Sequence, residues 1–190
     1  MQLSIKDNFP EISKALNALQ KDIADKALAS ALNKTLAQGK TAMSKAITSE
    51  FNISASKVKD SLRVNRVRKV AGAYVLQGSL ESPSKRGRSL NLINFDARKT
   101  AAGISVKIKK TGGRKVLRGA FIANQGRTVF VRVGTKRLPI KALQTVEVAQ
   151  MFNTKRINKV VVDFLEAKLP HVFENEAKFF TEKFNNKRST

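Results

Sequence analysis

The chain has no cysteine and no tryptophan, one histidine, one tyrosine and four prolines in 190 residues. Without cysteine neither a disulfide framework nor a thiolate metal site can form, and assembly in the cytosol is the natural expectation. The stretch MQLSIKDNFPEISKALNALQ lacks a charged region followed by an uninterrupted apolar one, and no segment approaches ~18 consecutive apolar residues, so neither a secretory signal nor a membrane span is expected. Acidic residues are scarce as well, 14 against 37 Lys and Arg. A nuclease or phosphotransferase gathers carboxylates around Mg²⁺, whereas Glu81 and Asp96, the two acidic residues of the basic middle, have no partner at useful spacing. The lone His171 follows Pro170 in a helical stretch, where Asp163, Glu166, Glu174 and Glu176 decorate a helix surface. There is no G-x-S-x-G elbow, and KKTGGRK lacks the spacing of a phosphate-binding loop. No enzymatic activity, metal or cofactor is expected.

What the chain does have is charge and apolar content. Net charge is +23 and apolar residues make up 42%, with eleven Phe, enough for a packed interior. The charge is uneven: residues 61 to 119 hold fifteen basic side chains against two acidic ones. Such a field favours a polyanion, because each cation that neutralises a phosphate releases condensed counterions. Nucleic acid is the leading generic partner, with a solvated basic surface or an acidic protein partner as the plainer readings.

Periodicity divides the chain. From Asn8 to Phe51 apolar residues recur at threes and fours, which predicts a helical arm over 8–52, with Asp7 or Asn8 capping and Pro10 in the first turn. Gly39 costs about 1 kcal/mol against Ala inside a helix, which leaves a kink or break there open. Ser54 or Ser56 would cap a short basic helix pinned by Val58 and Leu62 and carrying Lys57, Lys59, Arg63 and Arg66. Over 68–134 the pattern changes to period two: VAGAYVLQGSL and GISVKIKK read as strands, with Ile104, Val106 and Ile108 on one face. Between them 81–103 reads as a long mobile loop with an apolar anchor at Leu90, Leu92, Ile93 and Phe95. The Gly112–Gly113 pair supplies a turn through positive φ, and NQG at 124–126 joins GAFIA to RTVFVRVG. Pro139 ends that strand and sends the chain towards C-terminal helices over 144–185, which Asn153 or Thr154 caps and Pro170 starts or kinks. Tyr74 and Phe95 are too few for a base-stacking platform in the basic middle. The expected fold is α+β in one domain: a small antiparallel sheet flanked by a long N-terminal helix and C-terminal helices. The Phe-rich C-terminal stripe needs more cover than a small sheet supplies, so oligomerisation is expected.

The segment RGAFIANQGRTVFVRVGTKRLPI, together with this layout, resembles the phage minor tail protein Z family, the tail completion proteins of long-tailed phages of the lambda type. The resemblance is at residue level over about 115 to 170 and in character elsewhere. It implies a structural virion protein at the head-proximal neck of the tail, acting in tail completion and head–tail joining. The implied form is a homo-oligomeric ring, a hexamer favoured, assembled in the host cytoplasm and meeting tail terminator or tail tube proteins, head-connector proteins and the phage DNA end, without a membrane. Candidate contacts to DNA are Arg63, Arg66, Arg68, Lys69, Lys85, Arg86, Arg88, Lys107, Lys109, Lys110, Arg114 and Lys115. Candidates for a subunit or neck partner are Lys136, Arg137, Leu138, Pro139, Phe179 and Phe180. The alternative is a basic nucleic-acid-binding module of the ribosomal or nucleoid type, although no RNP1 strand is present.

Overall fold

The structure is a computed structural model that describes residues 2–4, 21–69, 76–83 and 89–188. The expected cap at Asp7 or Asn8 and the expected first turn at Pro10 lie outside them. The class is α+β, as expected, with two compact units interleaved in sequence.

The first unit comprises Met1–Met43, Leu62–Ser82 and Asn158–Thr190. Its frame is two long helices, α1 (Lys21–Glu50) and the C-terminal helix over Lys155–Arg188, whose ends run beyond the unit. Alanines 24, 27 and 31 present a narrow buried strip on α1. Ala27, Leu28, Ala31 and Leu32 form one core with Leu169 and Phe173 of the C-terminal helix. Each fully buried Leu or Phe contributes about 2–3 kcal/mol of transfer free energy. Gly39 does not break α1: a Cβ there would stand 2.7 Å from Leu165 Cδ2, so the glycine is a point of close helix approach. Pro170 likewise neither starts nor ends a helix but sits in the interior of an unbroken one, which forgoes one i→i−4 hydrogen bond.

Glu176 is the polar member of this interface. Its carboxylate is buried, accepts a hydrogen bond from Ser30 Oγ at 2.6 Å and pairs with the Lys34 ammonium. Burial pushes its pKa up, but the hydrogen bonds from Lys34 and Ser30 and the Lys34 charge outweigh that, leaving it below the ordinary value of 4.5.

The unit's sheet has the order β1 (Gln2–Ser4), β3 (Leu76–Glu81), β2 (Arg63–Lys69), all antiparallel. Arg63 and Arg66 therefore lie on a strand, which corrects the expected helix. The helix carrying Lys57 and Lys59, α2 (Ala55–Ser61), stops before Leu62, which is buried. Between Asn65 and Arg68 the register slips, and the Val67 N–H donates to Asn33 Oδ1 at 2.9 Å. The bulge is thus satisfied by a helix side chain.

The second unit comprises Ser44–Ser61 and Pro83–Ile157. It holds two antiparallel three-stranded sheets instead of one: β4 (Arg98–Thr100), β5 (Gly103–Val106), β6 (Lys115–Arg118), and β7 (Ala120–Ala123), β8 (Thr128–Arg132), β9 (Ile140–Ala142). Leu92, Ile104, Val106, Ala120 and Val129 form their shared core. A short helix, α3 (Val148–Phe152), precedes the C-terminal helix α4 (Lys155–Arg188), with Asn153 at the C-terminal cap of α3.

The expected loop over 81–103 is shorter than its sequence suggested. A 3₁₀ turn (Leu92–Asn94) and β4 occupy its second half. Asn91 holds the turn in place: its Oδ1 accepts from the N–H groups of Ile93 and Val129 at 3.0 and 2.8 Å, and its Nδ2 donates to Val129 O at 3.1 Å. Phe95 is fully buried, so the apolar anchor is a core element. The reversal between β5 and β6 uses neither Gly112 nor Gly113 at positive φ, contrary to expectation. The turn at 124–126 does use positive φ, at Asn124, Gln125 and Gly126.

Candidate functional site

Charge separates between the units. The second unit carries 21 Lys and Arg against four Asp and Glu, net +17, and the first carries 16 against ten, net +6. The polyanion question therefore concerns the second unit first.

Within it, the segment after β5 has a fixed backbone and outward side chains. Asn52 donates through its backbone to Ile108 O at 2.8 Å and through Nδ2 to Lys107 O at 3.0 Å, and the Lys110 N–H donates to Glu50 O at 2.8 Å. Glu50 in turn accepts from Arg156, at 2.9 Å. These bonds hold residues 107–110 as a rigid strap from which Lys109 and Lys110 project into solvent. Lys115 and Arg118, at the two ends of β6 and on opposite faces of it, are exposed as well.

Arg114 differs from its neighbours. Its guanidinium donates to Asp96 Oδ2 at 2.5 Å, Asp96 O at 2.6 Å, Ser105 Oγ at 2.9 Å and Ser105 O at 3.1 Å. Arg98 binds the same carboxylate at 3.1 Å. Hydrogen bonds from Arg114, and then from Arg98, hold the Asp96 carboxyl below its usual range. Arg114 thus covers Ser105, which the period-two pattern placed on the solvent face and the structure buries. Of the expected contact residues this one is engaged within the fold. The side chains of Lys110, Lys115 and Arg118 make no hydrogen bond or ion pair among the described residues.

The sheet β7–β8–β9 has two unlike faces. Ala120, Ile122 and Val129 point to the core, and the alternate residues Phe121, Phe130 and Arg132 share the other face. Phe121 and Phe130 are direct cross-strand partners, with ring centroids 6.1 Å apart and planes at 28°. The Arg132 guanidinium lies 4.8 Å from the Phe121 ring centroid. Along the open edge of β7 runs a cleft of about 550 Å³, lined among others by Lys99, Gly103, Gly119, Phe121 and Arg132. Gly103 is required there: its φ is 140°, and a Cβ would fall 2.1 Å from Leu117 O. This face escaped the sequence reading because its two Phe are nine residues apart and become neighbours only through the hairpin register.

KRLPI occupies the exposed loop between β8 and β9. The Leu138–Pro139 peptide bond is cis, and Val133 N–H donates to Pro139 O at 3.0 Å. Pro139 does not turn the chain towards the helices; it leads into β9, which pairs back on β8. Lys136, Arg137, Leu138 and Pro139 are all exposed, Leu138 at 65%.

Arg63, Arg66, Arg68 and Lys69 lie on β2 in the first unit, and Lys107, Lys109, Lys110, Arg114 and Lys115 belong to the second. Phe179 and Phe180 also belong to the first unit, in edge-to-face contact at 5.2 Å, with Phe179 exposed. Lys85, Arg86, Arg88 and Tyr74 lie outside the described residues. Among the described residues no group of His, Asp and Glu could hold a metal ion, and no helix is long and apolar enough to cross a membrane.

No curated protein and no solved structure matches the chain. The family model of prophage minor tail protein Z matches residues 10–183.

Proposed function

Since the chain belongs to the prophage minor tail protein Z family and is thereby a minor component of a phage tail, we propose that it completes the tail at its head-proximal end and joins it to the head. In this role several copies form a closed ring, hexameric in keeping with tail-tube symmetry, through heterologous contacts repeated by rotation. The exposed loop of Lys136 to Pro139 and the exposed Phe179 are the surfaces offered to neighbouring subunits, the tail tube or terminator, and the connector.

The observation that carries the reading is the net +17 of the second unit, together with a strap whose backbone is fixed and from which Lys109 and Lys110 stand exposed. A basic surface of this kind suits sequence-independent contact with the phosphates of a genome end. Such contact needs no base readout and no catalytic group, in keeping with a structural role.

Tails purified from a host expressing the phage without this chain test the proposal. They should fail to join DNA-filled heads in vitro, and adding the purified chain should restore joining. Equal joining with and without the chain would contradict it.

A further inference from the structure

We infer that the outer face of the β7–β8–β9 sheet, with the cleft beside it, binds single-stranded nucleic acid by stacking bases on Phe121. The inference rests on the reading that the second unit meets the genome, and adds that the strand it grips there is unpaired.

Three observations carry it. Phe121 and Phe130 stand opposite each other on the face turned away from the core, and neither belongs to the cluster that holds the unit together. Both rings are half-buried, so part of each stays open to solvent. Next, Arg132 lies over Phe121 at 4.8 Å and, like Lys99, is exposed and has no ion pair among the described residues. A planar guanidinium lying over an aromatic ring extends the ring into a stacked platform for a base and supplies a positive charge for its phosphate. Finally, the adjoining cleft of about 550 Å³ has no Asp or Glu in its lining. That size falls in the ~300–1,000 Å³ range of small-ligand sites, enough for a nucleotide. Ala101, Ala102 and Gly103 in the same lining carry small or no side chains, which leaves room for a flat base beside the edge of β7.

Duplex DNA does not fit this arrangement, because its base faces are already stacked on one another and only base edges and phosphates are accessible. An acidic peptide would satisfy Lys99 and Arg132 but make no use of a cross-strand aromatic pair under a guanidinium. Charge and stacking together select a strand that has both phosphates and free base faces.

The chain contains no Trp, so Phe121→Trp places a single fluorescent reporter in the face. On titration with an oligothymidylate of about 16 nucleotides, its emission should be quenched by stacking. The same duplex sequence and a polyglutamate peptide should leave it unquenched. Independently, Phe121→Leu, which keeps an apolar side chain but removes the ring, should weaken oligothymidylate binding by about 5- to 100-fold and leave duplex binding unchanged. Unaltered oligothymidylate affinity in Phe121→Leu, or quenching by polyglutamate equal to that by oligothymidylate, would overturn the inference. Duplex binding without oligothymidylate binding would overturn it while sparing the phosphate-contact reading, and absence of both would overturn the two together.

Discussion

Replacing Lys110, Lys115 and Arg118 together by Gln should flatten the salt dependence of duplex DNA binding. The three side chains are exposed and free of ion pairs among the described residues, whereas Arg98 and Arg114 are held by Asp96 and Arg156 by Glu50. Each phosphate neutralised by such a cation adds about 0.9 to the slope of log affinity against log salt. Losing three should make the slope shallower by about 2.7. From about 50 to 200 mM salt, wild-type affinity should then fall about 40-fold further than that of the variant. Fluorescence anisotropy with a random-sequence duplex over that range measures both slopes. The paired substitutions Arg98→Gln and Arg156→Gln serve as a comparison and should change the slope by about 1 or less, since these cations face carboxylates. All of these are surface changes, so melting temperatures should stay close to wild type. A triple variant with the wild-type slope, or a larger effect from the paired cations, would refute the assignment of the strap and β6 as the phosphate-binding surface.

Other expectations concern the packing within each unit. Gly39→Ala should destabilise by about 1 kcal/mol in urea unfolding, because about 2 kcal/mol of overpacking against Leu165 outweighs about 1 kcal/mol of helix propensity; a gain in stability would show that the helices are not closely packed there. Glu176→Gln should cost about 1–2 kcal/mol near neutral pH, a figure reduced by the exposure of Lys34. Because the folded pKa of Glu176 lies below 4.5, its stabilisation is full above that pH and is lost as the pH falls through the depressed value, so the acid unfolding of Glu176→Gln should be shallower than wild type. Asn91→Ala should cost about 1–3 kcal/mol, since it leaves the Val129 N–H of β8 without its partner while Val129 O keeps the Leu143 N–H at 2.9 Å; urea midpoints unchanged from wild type would contradict the pinning of the turn.

The long helices were legible because their apolar residues keep helical spacing over many turns, from Ile23 to Ile47 and from Val161 to Phe173. The NQG hairpin was legible from its turn residues. What failed was local sequence with a non-local cause. Gly39 reads as a helix breaker, but its meaning is set by Leu165, 126 positions away. Arg63 and Arg66 continue a basic pattern begun on a helix, yet buried Leu62 ends that helix and Asn33 satisfies the strand bulge beyond it. Ser105 alternates like a solvent residue until Arg114 closes over it. Pro139 was legible as a strand end but not as the entry to β9, because a proline ahead of a strand sacrifices no ladder donor. For the site, composition revealed the sign of the charge and placed it in the middle of the chain. It did not separate exposed lysines from arginines engaged by Asp96, nor bring Phe121 and Phe130 together, because both depend on sheet register.

A cryo-electron-microscopy map of the virion carrying this chain tests the central claim most directly. A ring of copies is expected at the head-proximal end of the tail, with Lys109, Lys110 and Lys115 of the second unit turned towards the end of the genome. Copies at the distal tip of the tail, or a ring at the neck with those lysines turned away from the DNA, would contradict it.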